Sequence, residues 1–209
     1  MVRPQKHRVI AFYKPYGVMC SFTDSEGQRP TLKNYIPVEG VYAAGRLDLD
    51  SEGLLLLSND GDLIHRLTAP DHKVAKTYLV QVEGEITDDA LAALEHGVEF
   101  KGQQTRRSQA MRVPEPTLPD REKPVTPHGP TSWIRLVLRE GRKRQIRHMT
   151  AVVGFPTLRL VRISIGNISL EGLTPGQWRD ITSAELSRLR DLIAAAARKF
   201  PDRPTGSIV

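Results

Sequence analysis

The most distinctive stretch of this chain is GRLDLDSEGLLLLSNDG, residues 45–61. Asp48, Asp50 and Glu52 stand close to Arg46 and Ser51, just ahead of an unbroken apolar run at residues 54–57. A segment that leads into a core is a good place for a rigid functional carboxylate, because packing pins its neighbours. Three readings are open on the residues alone. One carboxylate acts as a nucleophile or a base; or all three are hard oxygen ligands, which in an extended segment alternate to one side as a divalent cation requires; or the loop is simply acidic. No second acidic cluster stands ready to complete a two-metal clamp. The familiar alternatives are missing: there is no phosphate-loop, dinucleotide-binding, nucleophile-elbow or HExxH pattern. The six histidines show no metal-ligand spacing, and Cys20 is the only cysteine, so neither a disulfide framework nor a thiolate cluster is available.

The net charge of +6 is unevenly spread. Residues 135–162 hold eight Lys/Arg against Glu140 alone, so this one segment carries the whole positive excess. Such a concentration is the footprint expected for a polyanion, although a solvated helix face has the same composition. Aromatic residues are only 6% of the chain, too few for a broad stacking platform. No apolar run approaches the ~20 residues that span a bilayer. The N-terminal MVRPQKHRVIAFYKPYG is basic but lacks the apolar stretch of a signal peptide. A cytoplasmic setting follows as the expectation.

The elements that must position these residues can be read from periodicity and punctuation. Residues 8–13 form a first strand, stopped by the Lys14-Pro15-Tyr16-Gly17 turn. The run at 54–57 suits a strand buried on both faces. Residues 62–67 make one or two helical turns before Pro70, and 77–82 alternate as a strand. Thr87 caps a helix that has Asp88 and Asp89 in its first turn and Gly97 past its end. After a strand at 108–113, residues 114–130 contain six of the fifteen prolines, which forbids regular structure. That loop is either a mobile linker or an arm that contacts substrate. Residues 133–138 form a strand, and Gly141 leads into a helix over 142–153 whose inner face is Ile146, Met149, Thr150 and Val153. A strand at 157–165 turns at Gly166-Asn167. The last helix opens with the capping box Thr182 and Glu185, buries Leu186, Leu189, Ile193 and Phe200, and ends at Pro201. Without regular βαβ alternation, a mixed or antiparallel sheet is expected.

The residues of these segments carry a resemblance. GRLDLDSEGLLLLSNDG is similar to the catalytic motif of the RsuA-type pseudouridine synthases, whose catalytic aspartate would be Asp48. Lys14-Pro15-Tyr16-Gly17 resembles that family's opening turn. Lys76-Thr77-Tyr78 resembles its second motif, in which the tyrosine lies against the target base. EGRKRQIRHM, residues 140–149, resembles the third, in which the arginine after Gln-Ile, here Arg147, pairs with the catalytic aspartate. Gly154-Phe155-Pro156, then Leu158, Leu160 and Arg162, continue the pattern, so that the likeness runs in order from residue 9 to 180. Only a few residues precede the first strand, so the S4 RNA-binding domain that members usually carry is expected to be absent. With DSEG after GRLD, GFPTLRL, and the closing SLEGLTPGQWR, the chain looks most like the RluE branch, which modifies 23S ribosomal RNA. The fold implied is α+β (mixed α/β), with two lobes on one mixed, mainly antiparallel sheet and a central active-site cleft. The catalytic domain would span 7–200, including the proline-rich loop 114–130, with 201–209 a flexible tail.

The implied reaction breaks the N1–C1′ bond of a uridine, turns the uracil and joins C5 to C1′. Every atom is kept, so no cofactor and no metal are expected. One carboxylate can suffice, attacking C1′ or removing the C2′ proton, where a glycosidase would need a second to help the leaving group. The acid must stay ionised in a water-poor cleft, and a guanidinium beside it offsets that penalty. Arg147 lies about 100° round the helix from Ile146 and can point inward, while Lys143 and Arg144 meet solvent or phosphate. By resemblance, Arg46 takes the space left by the flipped base, Tyr78 stacks on the uracil, Leu160 packs beneath Tyr78, and Lys76, with Lys14, supports the pocket. Arg142, Lys143 and Arg144 are the expected RNA contacts, and Asp50 and Glu52 orient the turn. The partner would be 23S rRNA or a large-subunit assembly intermediate, with the enzyme acting as a monomer. Two other readings stand beside this one: a non-catalytic rRNA-binding or ribosome-assembly module, and a metal-dependent nuclease.

Overall fold

Two hydrophobic runs near the N-terminus set the frame of the molecule, whose computed structural model describes residues 7–69 and 74–199. The first is β1 (Val9–Lys14). A 3₁₀ turn at Leu32–Asn34 and the two-residue strand β2 (Tyr42–Ala43) follow, and then the second run, β3 (Glu52–Ser58). All seven residues of β3 are buried. Leu54 and Leu56 join Val9 and Ala11 on one face, while Leu55 and Leu57 join Ile10, Phe12, Leu32, Ile36 and Val41 on the other. An unbroken apolar run is what a strand covered on both sides requires.

Asp60 caps α1 (Gly61–Thr68) by accepting from Leu63 N at 3.0 Å. β4 (Lys76–Glu83) leads to α2 (Asp88–His96), which Thr87 caps and Gly97 ends at φ +94°, as its sequence foretold. A small hairpin, β5 (Glu99–Phe100) and β6 (Gln103–Gln104), precedes β7 (Gln109–Val113) and β8 (Thr131–Leu138). α3 (Gln145–Val152), β9 (Thr157–Ile165), β10 (Ile168–Ser169), β11 (Trp178–Asp180) and α4 (Ser183–Lys199) complete the order. The Thr182–Glu185 box closes reciprocally, with Thr182 N donating to Glu185 and Glu185 N to Thr182 Oγ1.

The sheet runs β11-β1-β3-β9-β4-β8-β7, with β2 added to β3 and β10 to β9. Its pairings are antiparallel except β3 with β9, which run parallel through Glu52↔Val161 and Gly53↔Arg162. The expected mixed, mainly antiparallel α+β sheet is therefore present. On the β9-β4-β8-β7 side, α2 and α3 cover one face, where Val80, Val82, Ile134, Leu136, Leu94, Ile146 and Met149 pack together. On the β1-β3 side, α1 and α4 contribute Leu63, Leu67, Leu189 and Ile193.

Some expectations are corrected. The helix read over 142–153 begins three residues later, because Arg144 sits in the left-handed region at φ 57° and cannot start a helix. Gln145, which is buried, organises the turn instead: its Oε1 accepts from Arg142 N at 3.0 Å and its Nε2 donates to Glu140. The hairpin β5-β6 and the edge strand β11 were not foreseen. Pro70, His72, Phe200 and the tail 201–209 lie outside the described residues.

Candidate active site

The three carboxylates of the acidic segment meet three different fates. The chain is not extended there. Ser51 N donates to Asp48 O at 3.0 Å, and Gly17 N to Leu49 O at 2.8 Å, so a turn laid against the Lys14–Gly17 segment replaces the strand-like alternation that a shared metal would need. Glu52 is buried and held by Arg159 through two bonds of 2.9 Å. Asp50 accepts from both terminal nitrogens of Arg144, at 3.2 and 3.0 Å, and its Oδ2 lies 3.3 Å from Arg147 Nε. Asp48 is half-buried, and its side chain has no hydrogen bond or ion pair among the described residues. Among those residues, no group of three or more His, Cys, Asp or Glu is placed to hold a metal ion.

This corrects the expected division of labour between the arginines. Arg147 does not pair with Asp48; it also donates to the backbone oxygens of Asp50, at 2.7 Å, and Thr157, at 3.2 Å. Arg144, expected to face phosphate, shares the grip on Asp50. The two guanidiniums thus brace the turn that presents Asp48, and act on its charge through space, as does Lys14. Burial pushes Asp50 upward, but the hydrogen bond from Arg144 and the charges of Arg147 and Arg144 outweigh it and hold Asp50 below the usual carboxylate range.

Arg162 ties the turn to the rest of the sheet. Its buried guanidinium donates to Leu54 O at 2.7 Å and to Arg46 O at 3.4 Å. Its backbone pairs with Gly53 on one side and Tyr78 on the other, so Gly53 and Tyr78 are two strand spacings, about 10 Å, apart. Tyr78 and Leu160 are diagonal neighbours across β4 and β9, and both belong to the cluster that includes Ile146 and Met149. The Tyr78 hydroxyl has no hydrogen-bond partner among the described residues. Arg46 is exposed, and Lys76 is half-buried close to Arg162.

A family model described as RNA pseudouridylate synthase matches residues 8–152. The chain belongs to that family. It is 50% identical over 179 residues to ribosomal large subunit pseudouridine synthase E of Vibrio vulnificus, covering 85% of this chain and 76% of that one. With the synthase E of Xanthomonas campestris it is 50% identical over 175 residues, 82% of this chain and 94% of the other. A solved pseudouridylate synthase superposes with a TM-score of 0.74 at 28% identity, covering 88% of this chain and 74% of that one. The sequence resemblance and the fold therefore lead to one family of enzymes.

In this pseudouridylate synthase the loop 114–130 runs past the acidic turn. Pro119 O accepts from Arg159 at 2.8 Å, the same arginine that grips Glu52, and the Arg121 guanidinium stacks 4.4 Å from the centre of the Tyr16 ring. Of the expected RNA contacts, Lys143 is exposed, Arg142 is half-buried 3.5 Å from Glu140, and Arg144 is exposed but committed to Asp50. Two open hollows of about 440 and 500 Å³ flank Trp178 at the β11 edge and include none of the expected site residues. Sequence reasoning left Arg159, Arg162 and Gly53 out of the site. The signal for the two arginines was their place inside the strand TLRLVRISI, where a charge among apolar neighbours must have a dedicated partner.

Burial draws Lys14 and Lys76 of the synthase down to about 8. For Lys14 the partial offset comes from Cys20, Glu52, Asp50 and Asp48, whereas for Lys76 the charge of Arg162 adds to the effect. Lys14 is fully buried, with Nζ donating to Pro15 O and Val18 O at 2.9 and 2.8 Å. A lysine that is more acidic in the folded state binds more protons when unfolded, so raising the pH through that window favours the fold. From pH 7 to 9.5 the wild type should gain up to about 2 kcal/mol of stability relative to Lys14→Met, read from denaturant midpoints. Activity should move oppositely, with kcat/KM falling above about pH 8 as the buried positive charge is lost. A stability difference that stays flat over this range would show that the lysine is not destabilised by its burial.

Proposed function

We propose that this synthase converts a uridine of 23S ribosomal RNA to pseudouridine, with Asp48 as the catalytic carboxylate. The observation that carries the assignment is that Asp50 and Glu52 are each committed to arginines while Asp48 is not. A group that must reach C1′ or the C2′ proton has to keep its oxygens available. The relatives named for the ribosomal large subunit support the substrate. The target nucleotide leaves its stack, at a cost of a few kcal/mol, and its uracil comes to rest on Tyr78, which Leu160 supports. Arg46 enters the gap in the RNA, Lys76 and Arg147 shape the pocket, and Arg142, Lys143 and Arg144 contribute positive charge on the RNA side. The carboxylate attacks C1′ or takes the C2′ proton as the N1–C1′ bond breaks; the uracil turns, C5 bonds to C1′ as the aspartyl–C1′ bond breaks or the C2′ proton is returned, and the C5 proton passes to solvent while N1 takes one up. Nothing is added or removed overall, so the residues need no cofactor and no metal. The catalytic unit spans 7–200, and the protein acts in the cytoplasm as a monomer on 23S rRNA or on an assembly intermediate.

The test is tritium release from 5-³H-uridine-labelled 23S rRNA transcript, with 16S transcript as control and EDTA present. Release from 23S alone, with the chain uncut, is the expected result. Release from 16S alone would refute the substrate, cleavage or chelator sensitivity would favour a nuclease, and binding without release would leave an rRNA-binding module.

A further inference from the structure

Among the described residues, only two that are not glycine adopt a left-handed backbone, and both are cations: Lys101 at φ 51° and Arg144 at φ 57°. Each pays a conformational penalty that glycine or asparagine would largely avoid. Lys101 is followed by Gly102 at φ 73°, so the β5-β6 hairpin turns through two left-handed residues, the geometry for which Asn-Gly is the favoured pair. A lysine in the asparagine slot serves something other than the turn.

The hairpin is not part of the main sheet; it is seated on the start of α3. Phe100 is buried and meets His148 edge-on, with ring centres 4.8 Å apart. Lys101 Nζ and the Arg142 guanidinium lie 5.9 and 5.8 Å from the centre of that ring, and Arg142 also donates to Gln104 O at 3.3 Å. Beyond β6, Arg106 N donates to Glu140 at 2.9 Å, so Arg106 and Arg107 arrive beside the same turn. Segments 99–107 and 139–144 together hold seven Lys/Arg against Glu99 and Glu140, and Glu140 is already engaged by Arg106, Arg142 and Gln145. Lys101 and Arg107 are exposed, and neither has an ion-pair partner among the described residues.

We infer that the β5-β6 hairpin and residues 105–107 form a second RNA-contacting surface, in which Lys101 and Arg107 bind backbone phosphates of the strand flanking the target. The inference rests on the RNA-modifying reading above, and it extends the basic strip of residues 142–144 onto an element that carries no catalytic group. A backbone contact of this kind fixes the register of the RNA without reading its sequence.

The experiment measures binding of the full chain to the 23S transcript by fluorescence anisotropy across a salt series, together with thermal melting. Lys101→Asn and Arg107→Gln are compared with Arg188→Gln, which removes an exposed cation on α4. Losing one phosphate contact should weaken binding about 3–10-fold at 0.1 M salt and reduce the magnitude of the log–log salt slope by about 0.7–0.9. Lys101→Asn should do this while melting at or above the wild-type temperature, because asparagine suits the turn better. Unchanged affinity and slope in both hairpin variants would overturn the inference, as would an equal loss in Arg188→Gln. A wild-type chain with no salt-dependent RNA binding would refute the underlying functional reading as well, an outcome distinct from failure of the hairpin alone.

Discussion

Asp48→Asn should lower pseudouridine formation by at least about 10⁴-fold, equivalent to more than 5 kcal/mol of barrier, while binding 23S transcript as tightly as the wild type or slightly more tightly. Asparagine keeps the size and shape of the side chain but is neither a nucleophile nor a base at neutral pH. The surrounding scaffold does not depend on the charge being removed, because the Asp48 side chain has no hydrogen bond or ion pair among the described residues, whereas the brace formed by Arg144 and Arg147 closes on Asp50. Folding should therefore be intact. RNA affinity should not suffer either, since a negative charge facing phosphates is lost. Tritium release and anisotropy on the same preparation check both halves. Retention of more than a few per cent of the wild-type rate would remove Asp48 from the chemistry.

Gly53→Ala should cost at least about 3 kcal/mol of stability, or about 6–12 °C in Tm for a chain of this size. Gly53 adopts φ +107°, and a Cβ built there would stand 2.3 Å from Arg162 O and 2.7 Å from Arg162 N. Those are backbone atoms at the place where β3 and β9 run parallel, so no side chain can swing aside to make room. The strands must part, and with them go the anchors of the turn that holds Asp48, the Arg162 bonds to Leu54 O and Arg46 O. A displacement near 1 Å at a reacting group lowers rates about 100-fold. Activity should thus fall further than the folded fraction does, as thermal melting and tritium release well below Tm would reveal. A variant melting within 2 °C of the wild type would mean that the approach of the two strands is looser than these contacts require.

Much of this arrangement was legible because it rests on local rules. The four leucines of β3, the Thr87 and Thr182 caps, the Gly97 stop and the turn at Gly166 each announce themselves within a few residues. The acidic segment stood out as a candidate site for the same reason. What remained hidden depends on partners far apart in the chain. Arg147 reaches an aspartate 97 residues away, and Asp48 and Asp50 differ by only two positions, so the turn at residues 48–51 alone decides which carboxylate it meets. The late start of α3 follows from Gln145 answering both Arg142 and Glu140, a choice that helix periodicity does not record. Strand β11 has three residues and the strands of the β5-β6 hairpin two each, too short for alternation to show.

The strand that follows Asp48 belongs to two hydrophobic cores at once, one on each face. It cannot fray at its end or swing out while either core survives, because releasing it exposes both. The proposed catalytic carboxylate thus adjoins a strand that can be released only by opening both cores. Heat should consequently leave no softened yet working form of this enzyme: turnover persists up to the cooperative transition and vanishes with it.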